Sequence, residues 1–345
     1  MTGARFQEIT ERYRHLSIAV LGDFCLDRYL EIDPARHEVS LETGLPVHNV
    51  VNVRAQPGGA GTILNNLSAL GVGAIFPIGF LGEDGEGLEL FSALSKQPGV
   101  RLDYLVRTDQ RRTFTYCKPL ILAPSKPPVE LNRLDFKNWT PTSAVLEGHL
   151  LDRLRAAARF VKAIIVLEQV DIPETGVVTQ KVLAGLKQVI DEDSRFLVVS
   201  DSRRGLRGYP PVTLKMNAVE LGSLTGASEP LTLEEIKRAA AALSVERGRS
   251  VFVTLAERGI VAAAPTGEIE HVPALPVRGT IDIVGAGDAV TANITSALAA
   301  GASLREALEM ANAAGSVVIH KLGTTGTATV KEIAELVTDR QTAVA

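Results

Sequence analysis

The stretch Gly279-Thr280-Ile281-Asp282-Ile283-Val284-Gly285-Ala286-Gly287-Asp288-Ala289-Val290 reads as a loop that becomes a helix. Gly285 and Gly287 permit tight turns and a close backbone approach to a ligand. From Asp288 the residues are small and uninterrupted through Ala300, and Gly301 stops them as a helix C-terminal glycine would. The free N–H groups of the glycine loop and first helical turn then converge on one spot. With the positive end of the helix dipole behind them, such groups bind anions, phosphate above all. Asp288 stands at the same spot. A carboxylate there does not help to hold a phosphate, but it supplies the general base when a hydroxyl must attack one. The plainer reading of these residues is an Asp N-cap after a glycine-rich turn, with Asp282 an ordinary loop carboxylate.

Composition bounds what such a site can serve. The chain has 345 residues, 46% hydrophobic and 22% charged, which suits a globular protein with a large core. Length alone suggests about two domains, but α/β chains of this size often form one core with an appendage, so residues 1–345 are expected to be a single domain. A net charge of -4 leaves no basic footprint, so nucleic acid is not an expected partner. Cys25 and Cys117, far apart in sequence, make neither a disulfide framework nor a zinc site, which fits a reducing cytoplasm. No apolar run reaches the roughly 18 residues that a membrane span needs, so a membrane is not an expected partner either. Residues 1–16 carry Arg5, Glu8, Glu11, Arg12 and Arg14 and lack the apolar segment of a signal peptide. Phe6, Ile9 and Tyr13 fall on one side of a short amphipathic helix there.

The apolar run Leu16 to Gly22 is typical of a strand buried on both faces of a parallel sheet. Asp23-Phe24-Cys25-Leu26-Asp27-Arg28-Tyr29 follows at its carboxyl end, where ligands bind in open α/β sheets. Between Glu31 and Gln56 helical period is lost, and Val47, Val50, Val51 and Val53 suggest strands of a smaller, separate sheet. Pro57-Gly58-Gly59-Ala60 opens a helix closed by Gly71, and Val100 to Leu122 again reads as strands. Pro124, Pro127 and Pro128 suggest an irregular crossing. Thereafter helices near 143–159, 176–191, 218–224 and 233–247 alternate with strands near 163–167, 196–200, 213–217 and 250–255, followed by a hairpin over 260–272. Such alternation predicts a mostly parallel sheet with helices on both faces.

Asp-x-x-Gly-Ala-Gly-Asp opening a small-residue helix late in a mixed α/β chain resembles the second signature of the ribokinase-like (PfkB) sugar kinase family. The resemblance implies a three-layer α/β fold, a mostly parallel sheet flanked by helices with a small β-sheet lid. It implies that Asp288 is the catalytic base and that Gly285, Ala286 and Gly287 form the anion hole. Ile283 stands where the family usually has Thr. Pro57-Gly58-Gly59-Ala60 resembles the first glycine signature, which implies that Gly58, Gly59 and a downstream Asn meet the sugar. The Asn expected two residues after Ala60 is Thr62, although Asn65 and Asn66 lie one turn further on, and Asn66 is taken as the candidate. Asp27 matches the carboxylate that grips sugar hydroxyls, and a carboxylate can accept from both members of a diol.

Asn217-Ala218-Val219-Glu220 matches the family's Asn-x-x-Glu. It implies that Glu220 organises waters around Mg²⁺, a hard cation that keeps much of its hydration, and that Asn217 lies near the transferred phosphate. Thr254 to Gly259 resembles the turn along the nucleotide of ATP, Asn312 a position close to the adenine, and Gly323 a neighbouring loop position. Asp282, with carbonyls around Ile283 and Gly323, matches where many relatives bind a monovalent cation such as K⁺.

Within the family the likeness is to the heptose-7-phosphate kinase branch, through Gly22 to Tyr29, Arg133-Leu134-Asp135-Phe136 and Lys321-Leu322-Gly323-Thr324. That branch carries Ser-Asp-Tyr-x-Lys-Gly where this chain has Glu168-Gln169-Val170-Asp171-Ile172-Pro173, with no lysine to reach a phosphate. Lys118, Arg133 and Arg203 could supply that charge or be surface residues, and Arg203 reads as the latter. The expectation is an ATP- and Mg²⁺-dependent sugar kinase, with a sugar-binding regulator and a nucleoside kinase as alternatives. A lid over about 31–56 and 100–122 would close on the sugar, and its exposed strands invite a homodimer through the lid.

Overall fold

The computed structural model describes residues 1–123, 128–193, 196–227 and 230–338. Two of the three prolines of the expected crossing, Pro124 and Pro127, lie outside them. Nine strands form the large sheet, in the spatial order Ile269–Val272, Ile260–Ala263, Val251–Thr254, Thr213–Asn217, Leu197–Ser202, Ala163–Glu168, Ser17–Gly22, Ala74–Gly82 and Leu105–Thr108. Every pairing is parallel except the two made by Ile260–Ala263, antiparallel to Val251–Thr254 on one side and to Ile269–Val272 on the other.

All six residues of Ala163–Glu168 are buried, as expected for a strand covered on both faces. Its alternate residues serve different layers. Ile164 and Val166 pack with Leu150 and Leu154 of helix Ala144–Ala158 and with Val182 and Leu186 of helix Gln180–Glu192. Ile165 and Leu167 pack with Ile63 and Leu67 of helix Ala60–Ala69, Ala292 of helix Ala286–Ala299 and Met310 of helix Leu304–Ile319. The three layers predicted from the alternation are therefore present. Among the described residues no helix is long and apolar enough to cross a membrane.

The smaller sheet differs from the expected lid at both ends. It consists of Leu134–Phe136, Phe114–Ile121, Phe24–Ile32 and Val50–Gly59, with Val129–Glu130 added beside Phe114–Ile121. It thus begins at Phe24 rather than near Glu31. The residues that follow the first strand's carboxyl end are themselves a strand, turned out of the large sheet where the Asp23 amide donates to Leu167 O at 3.2 Å. Conversely Leu105–Thr108, placed with the lid from sequence, pairs in parallel with Gly79–Gly82 at the edge of the large sheet. Leu105 packs there with the layer containing Leu81 and Leu94, so burial decides its sheet. A separate two-stranded ribbon, Glu38–Val39 with Pro46–Val47, projects from the smaller sheet. Helix Gln180–Glu192 starts four residues later than its period suggests. Gly176 lies against Asp23, whose carboxylate accepts the Val177 amide at 2.7 Å, and Thr179 caps the helix.

Candidate active site

Helix Ala286–Ala299 begins directly after Gly285, which adopts φ +81°. A Cβ at Gly285 would lie 2.0 Å from the Thr325 carbonyl, so only glycine fits. The Ala286 amide donates back to Ile283 O at 3.3 Å. The amides of Gly285, Gly287 and Asp288 have no acceptor among the described residues. The open donors at this helix terminus therefore include Asp288 itself and exclude Ala286, a shift of the expected Gly285–Ala286–Gly287 set.

Two charged residues that the motif reading missed lie beneath this turn. Strands Leu197–Ser202 and Thr213–Asn217 are aligned with Ser200 beside Leu214, which brings Asp201 level with Lys215. The buried Lys215 Nζ lies 2.6 Å from Asp201 Oδ2. A Cβ on Gly287 would sit 3.1 Å from the same nitrogen. Thr291 donates to Gly287 O at 3.0 Å and to Asp201 Oδ2 at 3.4 Å. Burial pulls the Lys215 pKa down, but Asp201, then Asp288 and Glu220, outweigh it and leave it raised. The Asp288 carboxyl is pushed up to about 7, first by burial and then by Asp201, with Lys215 and Arg203 opposing. A cation at the positive end of a helix is unfavourable unless anions share the site. The sequence signal was a lysine inside the apolar run Thr213-Leu214-Lys215-Met216, which demands a buried partner.

Asp27 comes from the smaller sheet. It is buried, with Oδ1 3.7 Å from Lys118 Nζ. Burial raises its pKa against the pull of Lys118, Arg133 and Arg203. Gly58 makes its room, because a Cβ there would lie 2.7 Å from Asp27 Oδ2. Gly59, at φ +56°, turns the strand into helix Ala60–Ala69, with space for a Cβ denied by Asp23 O at 2.6 Å. Arg133 forms two bonds to Asp135, at 2.7 and 2.8 Å, and lies over the Tyr116 ring. Arg203 is exposed, as its sequence context suggests, and its side chain makes no hydrogen bond or ion pair among the described residues; its charge opposes, as a minor cause, the raised pKa values of Asp27, Asp288 and Glu220.

Asn66 is a correction. It is fully buried, its Nδ2 donating to Thr62 O at 3.0 Å and Gly326 O at 3.4 Å, and its Oδ1 accepting from the Ala328 amide at 3.3 Å. Both ends are engaged inside the fold, so it fastens the 326–328 loop to the helix and presents nothing to a sugar. Thr62 is likewise buried, bonded to Pro57 O.

On the far side of the turn, Asn217 and Glu220 form a capping box on helix Ala218–Thr225. Asn217 Oδ1 accepts from the Glu220 amide at 2.9 Å, and Glu220 Oε2 from the Asn217 amide at 2.7 Å. The Asn217 side-chain Nδ2 and Glu220 Oε1 have no hydrogen-bond partner among the described residues. Burial, and then Asp201, raise the Glu220 pKa against the bond from the Asn217 amide. Among the described residues no cluster of three or more His, Cys, Asp or Glu could cage a metal ion. Glu220, Asp201 and Asp288 instead lie as separate carboxylates within electrostatic reach of Lys215, and the open Glu220 oxygen suits a hydrated Mg²⁺ held through water.

Thr254 donates to Met216 O at 3.3 Å. Gly259, at φ +92°, closes the turn against Val272 O, 2.0 Å from where a Cβ would fall. Asn312 Nδ2 donates to Pro273 O at 2.8 Å and lines a 170 Å³ pocket with Leu275 and Ala313. A 310 Å³ pocket adjoins it between Leu275, Pro276, Arg278, Val317 and His320. Asp282 accepts from the Val284 amide at 3.1 Å and the Gly323 amide at 3.2 Å, one on each oxygen.

The chain matches the pfkB family carbohydrate kinase over residues 17–331. Bifunctional protein HldE of Azorhizobium caulinodans is 31% identical over 308 residues, which cover 89% of this chain and 61% of that protein. Bifunctional protein HldE of Gluconacetobacter diazotrophicus is 31% identical over 338 residues, covering 94% and 64%. The chain therefore spans a little over three fifths of the length of these curated relatives. Arabidopsis thaliana ribokinase complexed with ribose and ATP has a TM-score of 0.67 at 21% identity, covering 93% of this chain and 98% of that one. Phosphofructokinase-2 from Escherichia coli in complex with potassium gives 0.69 at 18%, with the same coverage of 93% and 98%. These two likenesses are of fold. Matched from its first strand to its last described helix, the chain belongs to the pfkB family of carbohydrate kinases.

Proposed function

We propose that this carbohydrate kinase transfers the γ-phosphoryl group of ATP to a hydroxyl of a sugar gripped by Asp27, with Asp288 as general base. One observation carries the reading. A carboxyl with its pKa pushed up to about 7 lies in the first turn of a helix whose terminal amides are open, within electrostatic reach of Asp27. A base of that pKa is half ionised near neutral pH, where proton abstraction from a hydroxyl is most effective. The open amides and the Lys215 ammonium stabilise charge on the moving phosphoryl group, and such preorganised donors supply most of the catalysis in phosphoryl transfer.

Gly58 and Gly59 bring backbone to the sugar, Asn217 lies by the transferred phosphate, and Thr254, Gly259 and Gly323 border the nucleotide. Asn312 and the pocket between Leu275 and His320 take the adenine. Mg²⁺, held through water by Glu220, neutralises phosphate charge when bound. Asp282, with carbonyls about Ile283 and Gly323, is the place we assign to a monovalent cation such as K⁺. Both of its oxygens retain a lone pair beyond the bonds to Val284 and Gly323.

Lys118, Arg133 and Arg203 around Asp27 favour a sugar that already carries a phosphate. The resemblance to the heptose-7-phosphate kinase branch points the same way, with the charge arriving from these three residues instead of the 168–173 loop. Val50, Val51 and Val53 on the smaller sheet are 43%, 49% and 45% exposed, which supports a homodimer that covers them. The free, buried thiols of Cys25 and Cys117 suit a cytoplasmic setting.

The test is ADP release from MgATP against hexoses, sugar phosphates, heptoses and nucleosides, with and without K⁺. Turnover on a phosphorylated sugar, lowered about 100- to 10,000-fold in Asp288→Asn with MgATP binding retained, is the expected result. Tight binding of a sugar without turnover across the panel would replace the kinase with a regulator, and turnover on nucleosides alone would replace the substrate.

A further inference from the structure

The residue directly opposite Asp27 in the smaller sheet is Gln56. Paired residues in adjacent strands share a face, and so do residues two apart along one strand. Asp27, Tyr29, Arg54 and Gln56, with Tyr116 and Lys118 from the neighbouring strand, therefore form one row on the face of the sheet that carries Asp27. Contacts run along it. Lys118 Nζ lies 3.7 Å from Asp27 Oδ1 and 3.5 Å from the Tyr29 hydroxyl, and Gln56 Nε2 donates to that hydroxyl at 3.3 Å. Arg54 stacks 4.8 Å over the Tyr29 ring and donates to Gly323 O at 3.4 Å.

At the end of the row Gln56 leaves the sheet. Its Oε1 accepts from Thr324 Oγ1 at 3.1 Å, across a sequence separation of 268. Thr324 Oγ1 accepts in turn from the Gly326 amide at 3.3 Å, so the hydroxyl holds the shape of the 324–326 loop. That loop has no slack against the helix turn, since the Thr325 carbonyl fills the space where a Cβ on Gly285 would be. A movement of the smaller sheet that shifts Gln56 is thus passed through Thr324 and Thr325 to the turn bearing the open amides.

We propose that Gln56 is a positioning residue that couples the sugar-facing sheet to the phosphate-facing turn, so that occupancy of either side tightens the other. The inference rests on the kinase reading above. Coupling of this kind is reciprocal: whatever factor a nucleotide gains from the sugar side, the sugar side gains from the nucleotide. Neither Gln56 nor Thr324 touches a reacting group.

The probe is MgADP, and the readout is amide hydrogen exchange in residues 50–56, with nucleotide affinity measured by calorimetry on the same full chains. In the parent protein, saturating MgADP should slow exchange in this strand by roughly 5-fold or more. Gln56→Ala and Thr324→Val should bind MgADP and lose the slowing, whereas Thr324→Ser, which keeps the hydroxyl, should retain it. Unchanged slowing in Gln56→Ala and Thr324→Val would overturn the coupling, as would MgADP binding to the parent chain without any slowing. Failure of the parent chain to bind MgADP would overturn the kinase reading itself, and the coupling with it.

Discussion

At the scale of single residues, Lys215 bears on the general-base role proposed for Asp288, because its charge opposes the rise in the Asp288 pKa. A general base works only when ionised, so if Asp288 has the proposed role kcat/KM should rise with pH through a midpoint near 7, the value to which burial and Asp201 push its carboxyl. Lys215 favours the ionised form. Lys215→Met removes that support and should move the midpoint to higher pH, by about one unit or more. A pH–rate profile of the two proteins decides it; an unmoved midpoint would show that Lys215 serves the phosphoryl group or the fold alone. The motif pattern made Asp288 legible in the sequence but not Lys215, because a motif names residues close in the chain. Asp201 and Lys215 meet only through the register of two parallel strands.

Elements tell a similar story. Periodicity located nearly every helix and the parallel strands, since strands buried on both faces write continuous apolar runs and helices write a 3.6-residue period. It mislaid Phe24–Ile32 and Leu105–Thr108, because a short strand carries no label saying which sheet it joins, and packing of Leu105 against the layer with Leu81 and Leu94 settles the second case. Asn66 was misread for another reason: its position one turn past the glycine pair looks the same whether its amide faces a sugar or a loop. Asn66→Ala leaves the Gly326 carbonyl and the Ala328 amide unpaired in the interior. At about 1–3 kcal/mol for each buried group stranded, the variant should melt several degrees lower in calorimetry. Its KM for the sugar, measured below the transition, should stay within about 3-fold of the parent value, the range expected for a residue outside the pocket. A KM that rises more than 10-fold with no loss of stability would return Asn66 to the sugar site.

For the whole molecule, the exposed strand Val50–Gly59 is where a second copy is expected. Its first five residues are exposed on both faces, a costly arrangement for valines. Val51→Lys should convert dimers to monomers in sedimentation experiments, and an unchanged mass would place the interface elsewhere. The bond from Asn66 to the 326–328 loop spans 262 residues, and it has a consequence for the order of events during synthesis. The ribosome releases chains from the N-terminus at about 5–20 residues per second. Helix Ala60–Ala69 must therefore wait through some 262 further residues before it acquires this clamp and the turn at Gly285 its backing. A nascent chain thus has Asp27 long before it has the turn that follows Gly285, so on the proposed reading the two sides of the site cannot work together until residues 326–328 have emerged.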